Sequence, residues 1–90
     1  MPNEPLLEAV RRALAGDWSA AHVIVQDREG DPVAAWIHAV VHRLEGDVDN
    51  ARYWYGQCGR ELRAEVSTKA ELAEIEALLT TRGGPGGRRP

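Results

Sequence analysis

Apolar residues recur along the chain at helical spacing and do not alternate with polar ones. The first stripe predicts a helix from about Pro5 to Ala15, and it consists of Leu6, Leu7, Val10, Ala13 and Leu14. A second stripe predicts a helix that ends at about Thr81, and it consists of Leu72, Ile75, Leu78 and Leu79. No stretch alternates over a useful length, and no Asn-Gly or Asp-Gly hairpin turn occurs. The pattern therefore predicts an all-α protein.

Glycine and aspartate divide the chain between these two helices. At 16–17 and again at 46–47, a glycine ends one helix and the aspartate that follows it caps the next. Asp31 likewise caps a helix, which starts at Pro32. These signals predict three further helices, which are Trp18–Asp27, Pro32–Glu45 and one that follows Asp47 and runs to about Cys58. Thr68 and Glu71 are spaced as a capping box at the start of the last helix. We therefore expect about five helices.

The first Gly-Asp turn is repeated later in the chain. The segment 14–21 aligns with the segment 44–51 at an offset of 30 residues, and in both copies an alanine follows the aspartate by four positions. A small residue there lets two antiparallel helices approach closely. The repeat predicts two antiparallel helical hairpins, with the last helix as a C-terminal cap.

The second copy resembles a tetratricopeptide (TPR) repeat. Ala39 falls at the small position of its first helix, the segment 46–51 matches its turn, and Tyr55 matches the aromatic residue of its second helix. The resemblance covers about residues 6–59 and implies a concave groove that holds an extended peptide. His38 and His42 depart from the pattern, because they stand at its Leu and Tyr positions, and Asp31-Pro32 lies closer to Ala39 than the repeat junction should.

The segment 38–55 also resembles a signature of a small uncharacterised family of bacterial and fungal proteins. That signature reads His-x3-His-Arg-x-Glu-Gly-Asp-x2-Asn-Ala-x-Tyr-Trp-Tyr, and it is accompanied upstream by residues that match His22, Ile24 and Gln26. The resemblance points to this region of the chain and implies no particular activity.

Composition and charge restrict the class of protein. A chain of 90 residues has room for one hydrophobic core, which we assign to residues 1–82, and the Gly/Pro/Arg-rich segment 83–90 is expected to be a disordered tail. The single Cys58 excludes an internal disulfide, and the net charge of −3 argues against nucleic acid as a partner. We expect no membrane span and no signal peptide, and hence a cytoplasmic location.

All three histidines lie between residues 22 and 42. His38 and His42 share the polar face of the third helix with Glu45, and His22 precedes Gly30 by the same eight residues by which His38 follows it. In an antiparallel pair of helices His22 and His38 could therefore meet. Three imidazoles at one place predict a site for a divalent transition metal, with His22, His38 and His42 as ligands. Ala39 stands where the metalloprotease motif needs its glutamate, which excludes that class.

A second cluster of polar and aromatic residues surrounds the Gly46 turn. With His38 and His42 it could line a binding groove, and its members are Arg43, Glu45, Asn50, Tyr53 and Trp54. The same residues could instead satisfy one another or pack in the core.

The leading expectation is a non-catalytic binding or adaptor module for a peptide, a protein or a small ligand. The alternative is a metal-binding protein, and an enzyme that uses His and Glu is third, with no catalytic residue assigned. A short repeat stack has exposed ends, so a homodimer is also an expectation.

Overall fold

The computed structural model describes residues 3–28 and 30–83, and within them all regular structure is helical. The five helices are α1 (Asn3–Leu14), α2 (Trp18–Gln26), α3 (Pro32–Glu45), α4 (Val48–Gln57) and α5 (Thr68–Gly83). The prediction of an all-α protein with five helices is confirmed. Residues 84–90, most of the segment expected to be a disordered tail, lie outside the described residues.

The two Gly-Asp turns have the same structure. Gly16 and Gly46 adopt left-handed backbone with φ of 93° and 86°, which strains any residue that carries a Cβ. In each turn two backbone N–H groups donate back to the end of the preceding helix, at 2.8–3.0 Å. Asp17 then accepts from the backbone N–H of Ala20, and Asp47 from that of Asn50. The repeat seen in the sequence therefore forms the same helix–turn–helix junction twice.

The third helix lies at the centre of the fold. It packs against all four other helices, while α1 packs against α2, α3 and α5. Ala21 and Ala51, the two alanines of the repeated turn, are fully buried, which fits their predicted role at close helix contacts. The core is formed chiefly by α1, α3 and α5, and its largest apolar members include Leu6, Val10, Ile37, Val40, Leu72, Ile75 and Leu79.

The start of α5 differs from the expected capping box. Ser67, and not Thr68, accepts the backbone N–H bond of the first turn, from Ala70 at 3.0 Å. Thr68 is already helical, and Glu71 is fully buried. The capping-box prediction is therefore wrong, because the glutamate is held by tertiary contacts in the core.

The packing of α2 and α4 positions the histidines. Both helices pack on α3, but within the described residues they do not pack on each other. Both helices reach His38 of α3, α2 through His22 and α4 through Trp54, so they border a groove whose floor is α3. None of the helices in the described ranges has the length and apolar character needed to cross a lipid bilayer.

Candidate metal centre

The three histidines meet in the groove between α2 and α4. His38 and His42 lie one turn apart on α3 and are 5% and 8% exposed, and His22 on α2 is half-buried. The ring centroids are separated by 4.7 Å for His22 and His38, 5.0 Å for His38 and His42, and 5.4 Å for His22 and His42. The two helices thus bring together all three imidazoles of the chain.

His22 and His38 face each other through their Nε2 atoms. These two nitrogens are 2.9 Å apart, which is a hydrogen-bond distance. In such a bond one ring nitrogen carries a hydrogen and donates it, and the other accepts with its lone pair. A single hydrogen therefore lies between the two rings. A metal ion at this position would accept the Nε2 lone pair of each ring, with the hydrogen of the donating ring moved to its Nδ1.

His42 completes the cluster and is itself oriented by a carboxylate. Its Nδ1 lies 3.1 Å from Oε1 of Glu45, one helical turn further along α3. If Nδ1 carries the hydrogen for this bond, the lone pair is on Nε2. Histidines that bind metals are commonly held in this way by a carboxylate on their second nitrogen. One nitrogen from each of the three rings can be chosen so that all lie within 4.8 Å of one another.

Trp54 on α4 forms the opposite wall of the cluster. Its ring stacks on that of His38, with centroids 3.9 Å apart and planes 11° apart, and the ring of His42 is also nearly parallel to that of His38. The imidazole of His38 therefore packs against two nearly parallel rings. This fixes its orientation without using either ring nitrogen.

Burial keeps His38 neutral at physiological pH. Desolvation, followed by the charges of His22 and His42, lowers the pKa of His38 from 6.5 to about 4. A neutral imidazole keeps a free lone pair, which is the form that binds metals.

A second group of potential ligands shares His42. It consists of His42, Glu45 and Asp47, whose ligand atoms also lie within 4.8 Å of one another. Asp47, however, is engaged in capping α4, since Oδ1 accepts from the backbone N–H of Asn50 and Oδ2 from its side-chain amide at 2.7 Å. The hydrogen bond from the side chain of Asn50 is the main cause of the lowered pKa of the Asp47 carboxyl. Asn50, expected in the binding groove, is thus placed as the partner of this cap.

Arg43 lies apart from the histidine cluster, although the sequence suggested it as a ligand-binding residue. Its guanidinium donates to Oε1 of Glu71 at 2.8 Å and to the backbone oxygen of Val66 at 2.8 Å. Glu71 also accepts from the indole of Trp36 and the hydroxyl of Tyr55, each at 2.7 Å. Burial and the bond to Glu71 raise the pKa of the Tyr55 hydroxyl, which stays protonated.

Glu71 is thus the polar residue that sequence reasoning missed. It is fully buried, and its carboxylate joins α3, α4 and α5 through four hydrogen-bond and salt-bridge partners that include the more distant Arg63. A signal was present, because Glu71 stands four residues before Ile75 and therefore on the apolar stripe of the last helix.

Tyr53 and Trp54 border an open pocket next to the cluster. The pocket has a volume of about 260 Å³ and is lined by the turn at 30–32, by Ala35 and by Tyr53, Trp54 and Gln57. The residues predicted for ligand binding therefore lie in two places. His38, His42 and Glu45 belong to the histidine cluster, whereas Tyr53 lines the pocket. Trp54 contacts His38 and also lines the pocket.

Cys58 does not belong to the cluster. Its thiol donates to the backbone oxygens of Trp54 and Tyr55 in the preceding turn. Burial is the main cause that raises the pKa of this thiol, so it is a poor nucleophile at neutral pH.

No protein-family model, curated protein or solved structure shows a significant match to the chain. The resemblances to the TPR repeat and to the bacterial and fungal signature therefore stay predictions.

Proposed function

We propose that this protein binds a divalent transition-metal ion, with one nitrogen of each of His22, His38 and His42 as its ligands. The observation that carries the proposal is the convergence of the three imidazoles from two different helices. From the sequence, metal binding is the alternative to an adaptor function. The convergence of the three histidines favours metal binding.

The nitrogen–nitrogen distance between His22 and His38 is close to that of a tetrahedral site. A zinc ion bound by imidazoles at 2.0–2.1 Å places its ligand nitrogens about 3.3 Å apart. The Nε2 atoms of His22 and His38 are 2.9 Å apart, so they need to separate by only about 0.4 Å. Three protein ligands leave one position of the ion for water or another ligand.

The surroundings of the cluster also favour a metal. Glu45 orients His42, and Trp54 holds the ring of His38, so that little side-chain freedom is lost on binding. Nitrogen ligands without thiolates suit zinc, copper and nickel, and they disfavour magnesium and calcium.

The competing explanation is a polar cluster that only stabilises the fold. In that case the His22–His38 hydrogen bond and the Trp54 stack would satisfy the rings, and added metal would have no stoichiometric effect. The two explanations differ in a measurable way, because only a metal site depends on all three imidazoles together.

The test is calorimetric titration of zinc, copper and nickel into tag-free protein that has been stripped of metal. We expect one ion per chain, and we expect His22→Gln and His38→Gln each to abolish tight binding. His22 is the half-buried member, so its variant guards against a loss caused by misfolding. Glu45→Gln should weaken binding by about 10- to 100-fold, since it removes only the orienting carboxylate.

Cys58→Ser is the matched control, because it removes the one thiol of the chain, which has affinity for these metals, and should leave binding unchanged. The chain has three histidines, all of them in the cluster, so histidine-dependent binding can be assigned to this site. Absence of stoichiometric binding, or binding that survives both histidine substitutions, would overturn the proposal.

A second candidate function is the binding of a small ligand beside the cluster. The observation that favours it is the open pocket lined by Tyr53 and Trp54, two residues that the sequence suggested for this role. This function does not require the metal.

A further inference from the structure

The pocket beside the cluster has two aromatic walls at right angles. The rings of Tyr53 and Trp54 are 5.2 Å apart between centroids, with planes at 88° to each other. Tyr53 is 56% exposed, although a tyrosine of a stable core would be covered. An exposed ring that lines a cavity is available to a ligand.

The carboxylate of Asp31 belongs to a residue that also lines this pocket. Asp31 uses Oδ1 to accept from the backbone N–H groups of Val33 and Ala34, at 2.9 and 3.4 Å. Among the described residues, Oδ2 has no hydrogen-bond partner, which leaves its negative charge without a counter-charge in this pocket. Pro32 has no N–H, and the bonds to Oδ1 occupy the donors that follow, so this helix start offers little to an anion.

Among the lining residues that the structure describes, none has a basic side chain. It combines two aromatic rings, one carboxylate, one amide from Gln57, the apolar Ala35 and the backbone of the turn. Aromatic faces attract cations that are weakly hydrated, and quaternary ammonium groups are the ligands that paired aromatic walls bind best. The carboxylate adds charge complementarity.

We propose that this pocket binds a small ligand through an alkylated ammonium group, which lies against Tyr53 and Trp54 and faces Asp31. The proposal assigns a ligand class to the second candidate function and rests on that function alone. Since Trp54 stacks on His38, the ligand would share one wall with the candidate metal centre.

The test is a titration of choline, as the probe, into metal-free protein. Two-dimensional NMR monitors the titration. We expect saturable shifts of the Trp54 indole signal and of the backbone amides that line the pocket. The uncharged carbon analogue of choline has the same shape, and it should bind about tenfold more weakly or worse. Equal binding of the two compounds, or no saturable shift with choline, would overturn the proposal.

Substitutions at Tyr53 and at Asp31 separate the contribution of the aromatic rings to binding from that of the negative charge. Tyr53→Leu should weaken choline binding about tenfold, while Tyr53→Phe should keep most of it because the ring remains. Asp31→Asn should also weaken it severalfold without loss of the fold, since asparagine caps helices as well as aspartate does. Asp17→Asn, the same change at the cap of α2, is the matched control. Equal effects of the Asp31 and Asp17 changes would contradict the assigned role of Asp31.

The outcome is separable from that of the metal proposal. Choline is titrated without metal, and zinc is titrated without choline. A failure of choline to bind would therefore remove this ligand class and leave the three-histidine proposal to its own test.

Discussion

Acidification should destabilise the metal-free protein through His38. In the folded chain this residue has a pKa of about 4, while in the unfolded chain it has its ordinary value of 6.5. Between these values the unfolded state binds a proton that the folded state does not, so stability is fully present above pH 6.5 and falls as the pH is lowered toward 4. For these two pKa values, linkage gives a loss of about 2 kcal/mol between pH 7 and pH 5.

The assay is urea unfolding of the metal-free wild type and of His38→Gln at both pH values. Carboxylates that titrate between pH 7 and pH 5 do so in both proteins. The difference between the two losses of stability is therefore the contribution of His38. An NMR titration of the His38 imidazole protons would measure its pKa directly, with about 4 as the expected value. Equal losses in the two proteins, or a measured pKa of His38 near 6.5, would refute the reasoning.

Substitutions at other positions test the fold that holds the site. Glu71→Gln should lower the free energy of unfolding by about 3 kcal/mol or more, because it leaves the largely buried guanidinium of Arg43 without its counter-charge, whereas the exposed Glu74→Gln should change little. Gly46→Ala should cost about 1 kcal/mol, because alanine is strained in left-handed backbone. Gly56→Ala should instead stabilise by about 0.5 kcal/mol, because this glycine is helical and its Cβ position is open. Urea unfolding at pH 7 measures all four, and a stabilised Gly46→Ala or a neutral Glu71→Gln would contradict these contacts.

The helices could be predicted from the sequence because their ends are determined locally. A glycine in left-handed backbone followed by a capping aspartate involves only a few neighbouring residues, and the turns at Gly16 and Gly46 formed as the pattern predicted. The predicted bounds differ from the observed ones by one or two residues, as at α1, which begins at Asn3 and not at Pro5.

The meeting of His22 and His38 could also be predicted, because a short loop constrains which residues of two antiparallel helices lie opposite each other. Their equal separation from Gly30 was the signal, and the Nε2 atoms are 2.9 Å apart. The stack of Trp54 on His38 was not predicted, since it depends on the rotation of α4 about its own axis.

The environment of Arg43 could not be read from local pattern. Its partner Glu71 is 28 residues away in the chain, and the contact exists because α5 packs against α3. Helical spacing places Arg43 beside the predicted groove, but the pairing of a buried charge is decided by the tertiary arrangement. The same reason applies to Trp36, whose indole donates to Glu71 from 35 residues away.

The most direct test of the three-histidine site is a long-range nitrogen–proton NMR spectrum of the imidazoles, recorded before and after one equivalent of zinc. We expect one ligating nitrogen in each of His22, His38 and His42 to shift together and to saturate at one ion per chain. For His42 this should be Nε2, with the hydrogen retained on the Nδ1 that faces Glu45. Shifts confined to one or two rings, or none at one equivalent, would contradict a metal centre built from all three.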